Sequence, residues 1–324
     1  MASIIFKNVY IKDEESIVGP YEKEGNINFA NYVKDLYGTE KTFENCEIKM
    51  QKWVFDNVLR KNNLKDKDVG IVVGGDLMNQ LTATSYNMKN YDIAFLGVYS
   101  ACASFVEAMI VTANLLDTRF FKRGIVITSS HNLSSEKQFR FPVEYGCLKP
   151  KRATFTATGA VASLLTNEVS RIKVESATIG KVMDLGIKDP FHMGAVMTPA
   201  AALSIYEHLK DLKRDASYYD VILTGDLGEV GAKILKDYML ENYHIKLKNH
   251  LDAATLLYRE SQETFAGASG PIALPLVLFN KILKEKKYKK ILIVGTGSLH
   301  SPVMCNQKNP IPAIAHVVSL EVGL

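Results

Sequence analysis

The sequence predicts an α/β protein whose sheets are covered on both faces. Short apolar runs rich in β-branched residues recur at 69–75, 92–98, 124–130, 220–226 and 290–297, the composition of strands buried on both sides. Helical patterns lie between or beside them at 45–62, 102–116, 228–240 and 271–287, as in a covered, largely parallel sheet. The runs also echo one another about half a chain apart. GIVVGGDL at 70–77 resembles DVILTGDL at 220–227, and RGIVITSSH at 123–131 resembles KILIVGTGSLH at 290–300. Two related halves, 1–180 and 181–324, account for the echoes; buried strands ending in small residues account for them equally well. The junction at 170–195 contains no low-complexity linker, so one compact body is expected.

Each stretch has a physical reason for its assignment. Residues up to about 67 alternate in charge around the helix at 45–62 and flank the first sheet. The stretch 93–116 carries one charge, Glu107, and is long enough to cross a membrane. A strand, a small-residue turn and a buried helix, bounded by Asp92 and Asp117, describe it better. The opening MASIIFKNVYIKDEES is interrupted by Lys7, Lys12 and Asp13, so no secretory signal is expected. The run KILKEKKYKK at 281–290 holds six lysines and one glutamate, which suits a solvated helix end.

Composition removes several function classes. The chain has 324 residues, 47% hydrophobic and 23% charged, which excludes a disordered or collagen-like chain. Lys plus Arg is 39 against 35 for Asp plus Glu, a net charge of +4, too little to argue for nucleic acid. Four cysteines, none in CxxC spacing, point to free thiols in a reducing compartment and away from a structural zinc site. No complete P-loop or dinucleotide fingerprint is present, so neither a cofactor nor a metal is expected.

Cys102 is the leading candidate for chemistry. It follows the strand at 92–98 after Tyr99-Ser100-Ala101 and opens a helix, with Ala101, Ala103 and Ser104 small enough for a tight elbow. A thiol there feels the helix dipole, and the arrangement is that of a nucleophile elbow; a buried structural cysteine is the plainer alternative. Cys46, Cys147 and Cys305 have weaker contexts. His131 ends the strand run GIVITSSH, and His300 follows GTGSL. Both sit where open α/β sheets place ligands, whereas His208, His244 and His250 fall in charged or surface contexts. Glycine-rich turns at 74–76, 225–228, 267–270 and 295–298 offer backbone donors to an anion; Gly225, Ser269 and Ser298 are candidates from them. Arg140, between Phe139 and Phe141, suits a planar carboxylate or pins its own loop.

At this point a resemblance carries the reading further. YSACASF around Cys102, TSSHNLSSEKQFRFPVEYG at 128–146, VILTGDLGEVG at 221–231, GASGPIALPLVL at 267–278 and ILIVGTGSLHSP at 291–302 resemble the thiolase-like superfamily and, most closely, its stage V sporulation protein AD family. The resemblance implies a five-layer αβαβα fold of two similar halves and a homodimer. In condensing enzymes of the superfamily the cysteine is acylated and works with a histidine and a histidine or asparagine. Here Gly225 stands where the histidine is expected, Gly228 where the asparagine after it is expected, and Phe265–Ser269 contains no imidazole or carboxamide. The resemblance therefore implies a non-catalytic binder of dipicolinic acid, or its calcium chelate, with Cys102, His131, Arg140, Gly225, Ser269, Ser298 and His300 around the ligand. It also implies work with membrane proteins of one sporulation transport system, peripherally at the forespore or spore inner membrane. A Cys102-dependent acyltransferase or condensing enzyme using acyl-coenzyme A is the alternative.

Overall fold

The strand runs are apolar at nearly every position, and the fold uses both of their faces. A computed structural model describes residues 2–139 and 149–323. The first part of the chain forms β1 (Ala2–Ile5), β2 (Tyr10–Val18), α1 (Pro20–Lys23), α2 (Phe43–Lys61), β3 (Ile71–Gly75), α3 (Thr82–Met88), β4 (Phe95–Gly97), α4 (Ser104–Asp117), β5 (Arg123–Ser130), α5 (Asn132–Phe139), β6 (Phe155–Thr156) and β7 (Gly159–Thr166). The rest forms β8 (Ile172–Ile179), α6 (Met193–Asp211), β9 (Val221–Thr224), α7 (Gly228–Tyr243), β10 (His250–Asp252), α8 (Ala253–Leu257), β11 (Ala268–Ser269), α9 (Ala273–Val277), β12 (Lys290–Ser298), α10 (Pro302–Asn306) and β13 (Ala313–Val322).

The main sheet repeats itself. Its order is β10-β9-β12-β13-β8-β2-β7-β5-β3-β4, with β1 added on β8. The order falls into two fives, β2-β7-β5-β3-β4 and β8-β13-β12-β9-β10. In each, the second strand is antiparallel to its neighbours and the last three are parallel. The helices follow suit: α2 and α6 precede the fourth strand of their sets, and α3 and α7 the fifth. Among the described residues the two sets pair strand to strand at Tyr10 with Lys173 and Ile11 with Ile172. The strand β8 opens the second set although it lies before residue 180.

Period-two alternation sorts the strand residues into layers. Val72, Ile125 and Ile127 pack outward on α2, and Ile222, Leu292 and Val294 outward on α6. Ile71, Val73, Val126, Val221, Leu223, Ile291 and Ile293 point inward to a shared core with α4, α8 and α9. Within it Phe105 meets Phe279 edge-on at 6.1 Å between ring centroids. The result is helix, sheet, helix, sheet, helix: the five-layer thiolase-like arrangement. Each buried aliphatic side chain contributes about 1.5–3 kcal/mol. Exposed pairs such as Lys52–Asp56 and Lys233–Glu229 contribute about 0–1 kcal/mol, so the layers rest on apolar burial.

Three sequence assignments change. The run 92–98 is not a buried strand: β4 is three residues long and Leu96 is 46% exposed, because among the described residues β4 pairs only with β3 and no strand lies beyond it. The helix at 271–287 stops being regular after Val277, and a wider turn follows with Leu283 N–H donating to Leu278 O at 2.9 Å. His208 and His250 are buried, not superficial. His208 bridges the Thr178 and Tyr219 hydroxyls, and His250 bonds Thr224 Oγ1 at 2.8 Å. Among the described residues no helix is long and apolar enough to cross a membrane.

Two buried polar groups tie the layers together. Gln51 Nε2 donates to Thr84 Oγ1 at 2.9 Å and to Ser129 Oγ at 2.8 Å; those hydroxyls donate on to Asp76 and Glu47. One amide thus organises α2, α3 and the ends of β3 and β5. Glu22, at α1, accepts from the Tyr258 hydroxyl and from Thr158 N–H at 3.1 Å, joining the two halves. Burial pushes Glu22 up to about 7 and, with the charge of Asp76 adding to it, Glu47 up to about 8.

Gln51→Met keeps the volume and removes the amide, leaving two hydroxyls without their donor. It is expected to lower the unfolding free energy by about 1–3 kcal/mol, measured by urea denaturation. A second expectation concerns pH. An acid raised in the folded state stabilises the fold at low pH and loses that contribution as pH rises through its folded value. His208, His250 and His316, lowered by burial to about 4, act the other way, but their effect is nearly complete by about pH 7.5, a unit above the value of an unfolded imidazole. The urea midpoint should therefore fall from pH 7.5 to 8.5 as Glu47 ionises, and a rising midpoint would contradict the assignment.

Candidate functional site

The elbow is made by small residues under pressure from a strand. After β4, a tight turn over Ala101–Ala103 leads into α4. Ala101 sits at φ 50°, a left-handed conformation that costs a β-carbon-bearing residue free energy. Ser104 Oγ braces the turn, accepting from Ser100 N–H at 3.0 Å and donating to Ala101 O at 2.7 Å. Beneath it runs β12. A β-carbon on Gly297 would lie 2.2 Å from Ser100 O, and one on Gly295 would lie 2.8 Å from Val106 Cβ. The glycines at 295 and 297 thus belong to a strand, not to a strand-end turn. Their role is to let the elbow rest against β12.

Cys102 is partly exposed, and its thiol donates to the carboxylate of Asp226. Asp226 follows β9 and is 1% exposed. Thr296 Oγ1 donates to its Oδ1 at 2.7 Å and Gly270 N–H to its Oδ2 at 3.3 Å. Burial pushes its carboxyl up to about 6, and these donors hold it from rising further. Behind it, Asp252 receives Thr224 Oγ1 at 2.6 Å and the N–H groups of Leu227, Gly228 and Ala254. Burial, with the nearby charge of Asp226 adding to it, pushes Asp252 up to about 7.

A pocket opens at Cys102. It is narrow, with a cavity volume of about 40 Å³, room for a few waters. Ser135, Thr156, Ser269, Ser298 and His300 supply its polar lining, and Leu77, Tyr99, Ala101, Phe139 and Met193 its apolar lining. Ser135 and Ser298 are 3% and 4% exposed, and neither hydroxyl has a hydrogen-bond partner among the described residues. A buried hydroxyl without a partner is costly, and here two of them border one pocket. The His300 ring lies 5.9 Å from that of Phe139. A second hollow, lined by Met78–Leu81, Gln138 and Leu299–Pro302, shares Tyr99, Phe139 and His300 with the first.

The fold thus brings Cys102, Ser269, Ser298 and His300 together, and it leaves two candidates elsewhere. His131 is buried in its own half: Nε2 bonds Leu36 O at 2.8 Å, Nδ1 accepts from Leu133 N–H, and Phe43 stacks on the ring. Burial lowers its pKa, and its ring is already fully engaged, so it is a structural histidine. Gly225 does not line the pocket, and its N–H is spent on Val294 O at 3.0 Å. The other glycine-rich turns likewise spend donors internally: Leu227 and Gly228 on Asp252, Gly270 on Asp226. Arg140 and Cys147 lie outside the described residues.

Asp226 is the residue that sequence reasoning missed. The signal was present in the echoes: GGDL and TGDL place Asp76 and Asp226 at equivalent strand ends of the two halves, and both are buried. A carboxylate at the end of an apolar strand is costly enough to demand a partner.

Known proteins resemble the chain in sequence and in fold. The sequence pattern of the family described as Stage V sporulation protein AD (SpoVAD) matches residues 2–321. The stage V sporulation protein AD of Bacillus subtilis (strain 168) is 40% identical over 318 residues, 97% of this chain and 94% of that protein. Among solved structures, a variant of Xanthomonas campestris OleA superposes with TM-score 0.64 at 13% identity, over 98% of this chain and 99% of that one. The 3-oxoacyl-(acyl carrier protein) synthase III, FabH, of Xanthomonas oryzae pv. oryzae superposes with TM-score 0.58 at 13% identity, over 97% of this chain and 100% of that one. The fold is thiolase-like, and the chain belongs to the stage V sporulation protein AD family.

Proposed function

We propose that the Cys102 pocket binds dipicolinic acid, alone or as its calcium chelate, without turning it over. The observation that carries this reading is the pair of buried, unpartnered hydroxyls, Ser135 and Ser298, beside Thr156 and Ser269 in a pocket at the elbow. Hydroxyl donors around a hollow suit a small, planar ligand rich in acceptor oxygens. The helix that starts at Ser104 favours negative charge there. In this reading the protein acts in dipicolinate uptake during sporulation. It works beside membrane proteins of the transport system, peripherally at the forespore or spore inner membrane. A second copy covering the exposed edge of β4, where Leu96 and Tyr99 face solvent, makes the working form a homodimer.

A second reading has one observation in its favour. The Cys102 thiol donates to Asp226, so a base is in place although it is not an imidazole. In a Cys102-dependent acyltransferase, Asp226 takes the thiol proton as sulfur attacks the carbonyl of an acyl-coenzyme A. The carbon–sulfur bond to coenzyme A then breaks, and its thiolate takes up a proton.

Calorimetry of the full chain with dipicolinic acid, with and without calcium, distinguishes the two. Saturable binding is expected, and Ser298→Ala should weaken it about 5- to 10-fold, the loss of one hydrogen bond of about 1–1.4 kcal/mol. Intact-mass analysis after incubation with a panel of acyl thioesters should leave the chain unmodified. No binding heat together with an acyl adduct on Cys102 would reverse the assignment.

A further inference from the structure

Two features of the molecule coincide at the end of the sheets that faces away from the pocket. The first is charge. The segments 7–8, 117–123, 167–173 and 284–290 carry eleven Lys and Arg against three Asp and Glu, whereas the net charge of the whole chain is +4. The second is exposure. Val169 and Phe120 are 82% and 80% exposed, more than any other large apolar side chain among the described residues.

The fold gathers these segments. They lie where β5 and β12 begin and β7 and β13 finish, whereas Ser298, at the other end of β12, lines the pocket. Asp117, at the end of α4, accepts from the N–H groups of Lys7 and Asn8 at 2.8 and 3.1 Å. Lys122 O accepts from Asn167 N–H at 3.2 Å, which sets the turn carrying Val169 beside Phe120, and Arg123 pairs with Glu168 at 2.9 Å. Arg171 O accepts from Gly323 N–H and Lys289 O from Val322 N–H, both at 2.8 Å. That last pair carries the surface on to the lysine run. Lys7, Arg119, Lys122, Arg171, Lys286 and Lys289 are all exposed, and none has an ion-pair partner among the described residues. The acids nearby are engaged: Glu168, Glu285 and Glu321 pair with Arg or Lys, and Asp117 and Asp220 accept backbone N–H groups. Adding Asp220 and Glu321 to the four segments still leaves an excess of six positive charges.

We propose that this end of the molecule docks directly on an anionic lipid surface. Unpaired cations are drawn to a negatively charged leaflet within a Debye length. Phe120 and Val169 stand out among them and enter the boundary between headgroups and acyl chains, where they leave water. Exposed lysines alone describe an ordinary solvated surface. Lysines and arginines around two exposed apolar tips suit a surface that is negative outside and apolar beneath. A nucleic-acid duplex would reward the cations and not the tips. The orientation follows from the sheet: β5, eight residues long, spans about 27 Å from Arg123 to the pocket end. Docking therefore leaves the pocket on the side away from the lipid. The proposal uses neither the pocket nor the membrane proteins of the reading above.

Co-sedimentation of the full chain with vesicles tests this, using equal parts phosphatidylglycerol and phosphatidylcholine against phosphatidylcholine alone. The wild-type chain should bind the mixed vesicles and not the neutral ones, and its partition coefficient should fall about fivefold or more between about 0.1 M and 0.5 M sodium chloride. Lys122→Gln, Arg171→Gln and Lys289→Gln combined should lower it about a hundredfold, at about fivefold per cation. Lys137→Gln, Lys151→Gln and Lys308→Gln combined remove the same charge from the pocket end and should stay within about twofold of wild type. Phe120→Ser with Val169→Ser should cost about tenfold. All of these side chains except those paired at Lys137 point freely into solvent, and circular dichroism melting curves matching wild type verify that each variant is folded. No sedimentation of the wild-type chain with mixed vesicles overturns the inference, as do equal losses in the two charge variants or no loss in either variant of the docking face. Tighter binding of a DNA duplex than of the vesicles assigns the face to nucleic acid and overturns it as well. The dipicolinate reading stands or falls separately, by calorimetry at the pocket.

Discussion

Both sheets of this protein are apolar on both faces, and that constraint shapes everything else. Each sheet needs helices on two sides, and two five-stranded sets meet the need most economically by sharing one helical layer. Val73, Val126, Leu223 and Ile293 reach that layer from opposite sides. The sharing has a geometric consequence. The helix α4 has to pack against β12 as well as its own sheet, so the turn that starts it is pressed onto a strand of the other half. Gly295 and Gly297 are the spaces cut for that contact. The pocket is where the two sets of strand ends meet, with Cys102, Ser135 and Thr156 from one half and Ser269, Ser298 and His300 from the other.

The same duplication explains how matching positions acquire different work. Asp76 and Asp226 occupy equivalent strand ends. Asp76 holds the start of α3 through Thr84 N–H and hydroxyl; Asp226 faces a thiol. His131 and His300 follow equivalent strands as well. One turns into its own half beneath Phe43, and the other lines the pocket. The elbow presents Cys102 at the pocket, and its thiol is met by a buried carboxylate. A carboxylate acceptor keeps the proton on sulfur at low cost, whereas an imidazole carries it away. That difference is consistent with a site that holds a ligand in place.

Much of this was legible in the sequence. Buried strands such as 71–75 and 291–297 announce themselves through unbroken β-branched runs, because both faces need apolar cover. The elbow was legible because only small residues permit its turn. What was not legible depended on the third dimension. The run at 92–98 has the composition of a central strand and becomes an edge, since nothing in a local pattern says how many strands lie beyond it. Gly295 and Gly297 read as a loop but relieve a contact with a segment nearly two hundred residues away in sequence. Asp226 was passed over because a single aspartate beside a glycine reads as a turn until its burial is known.

The central claim is that a ligand occupies the pocket between Cys102 and the hydroxyls of the second half without reacting there. A crystal structure of the protein soaked with dipicolinic acid tests it most directly. The account predicts planar density against Cys102, with ligand oxygens within hydrogen-bond distance of Ser135 and Ser298 and no bond to Sγ. Density for the ligand elsewhere with this pocket filled only by water, or a covalent adduct on Cys102, would contradict it.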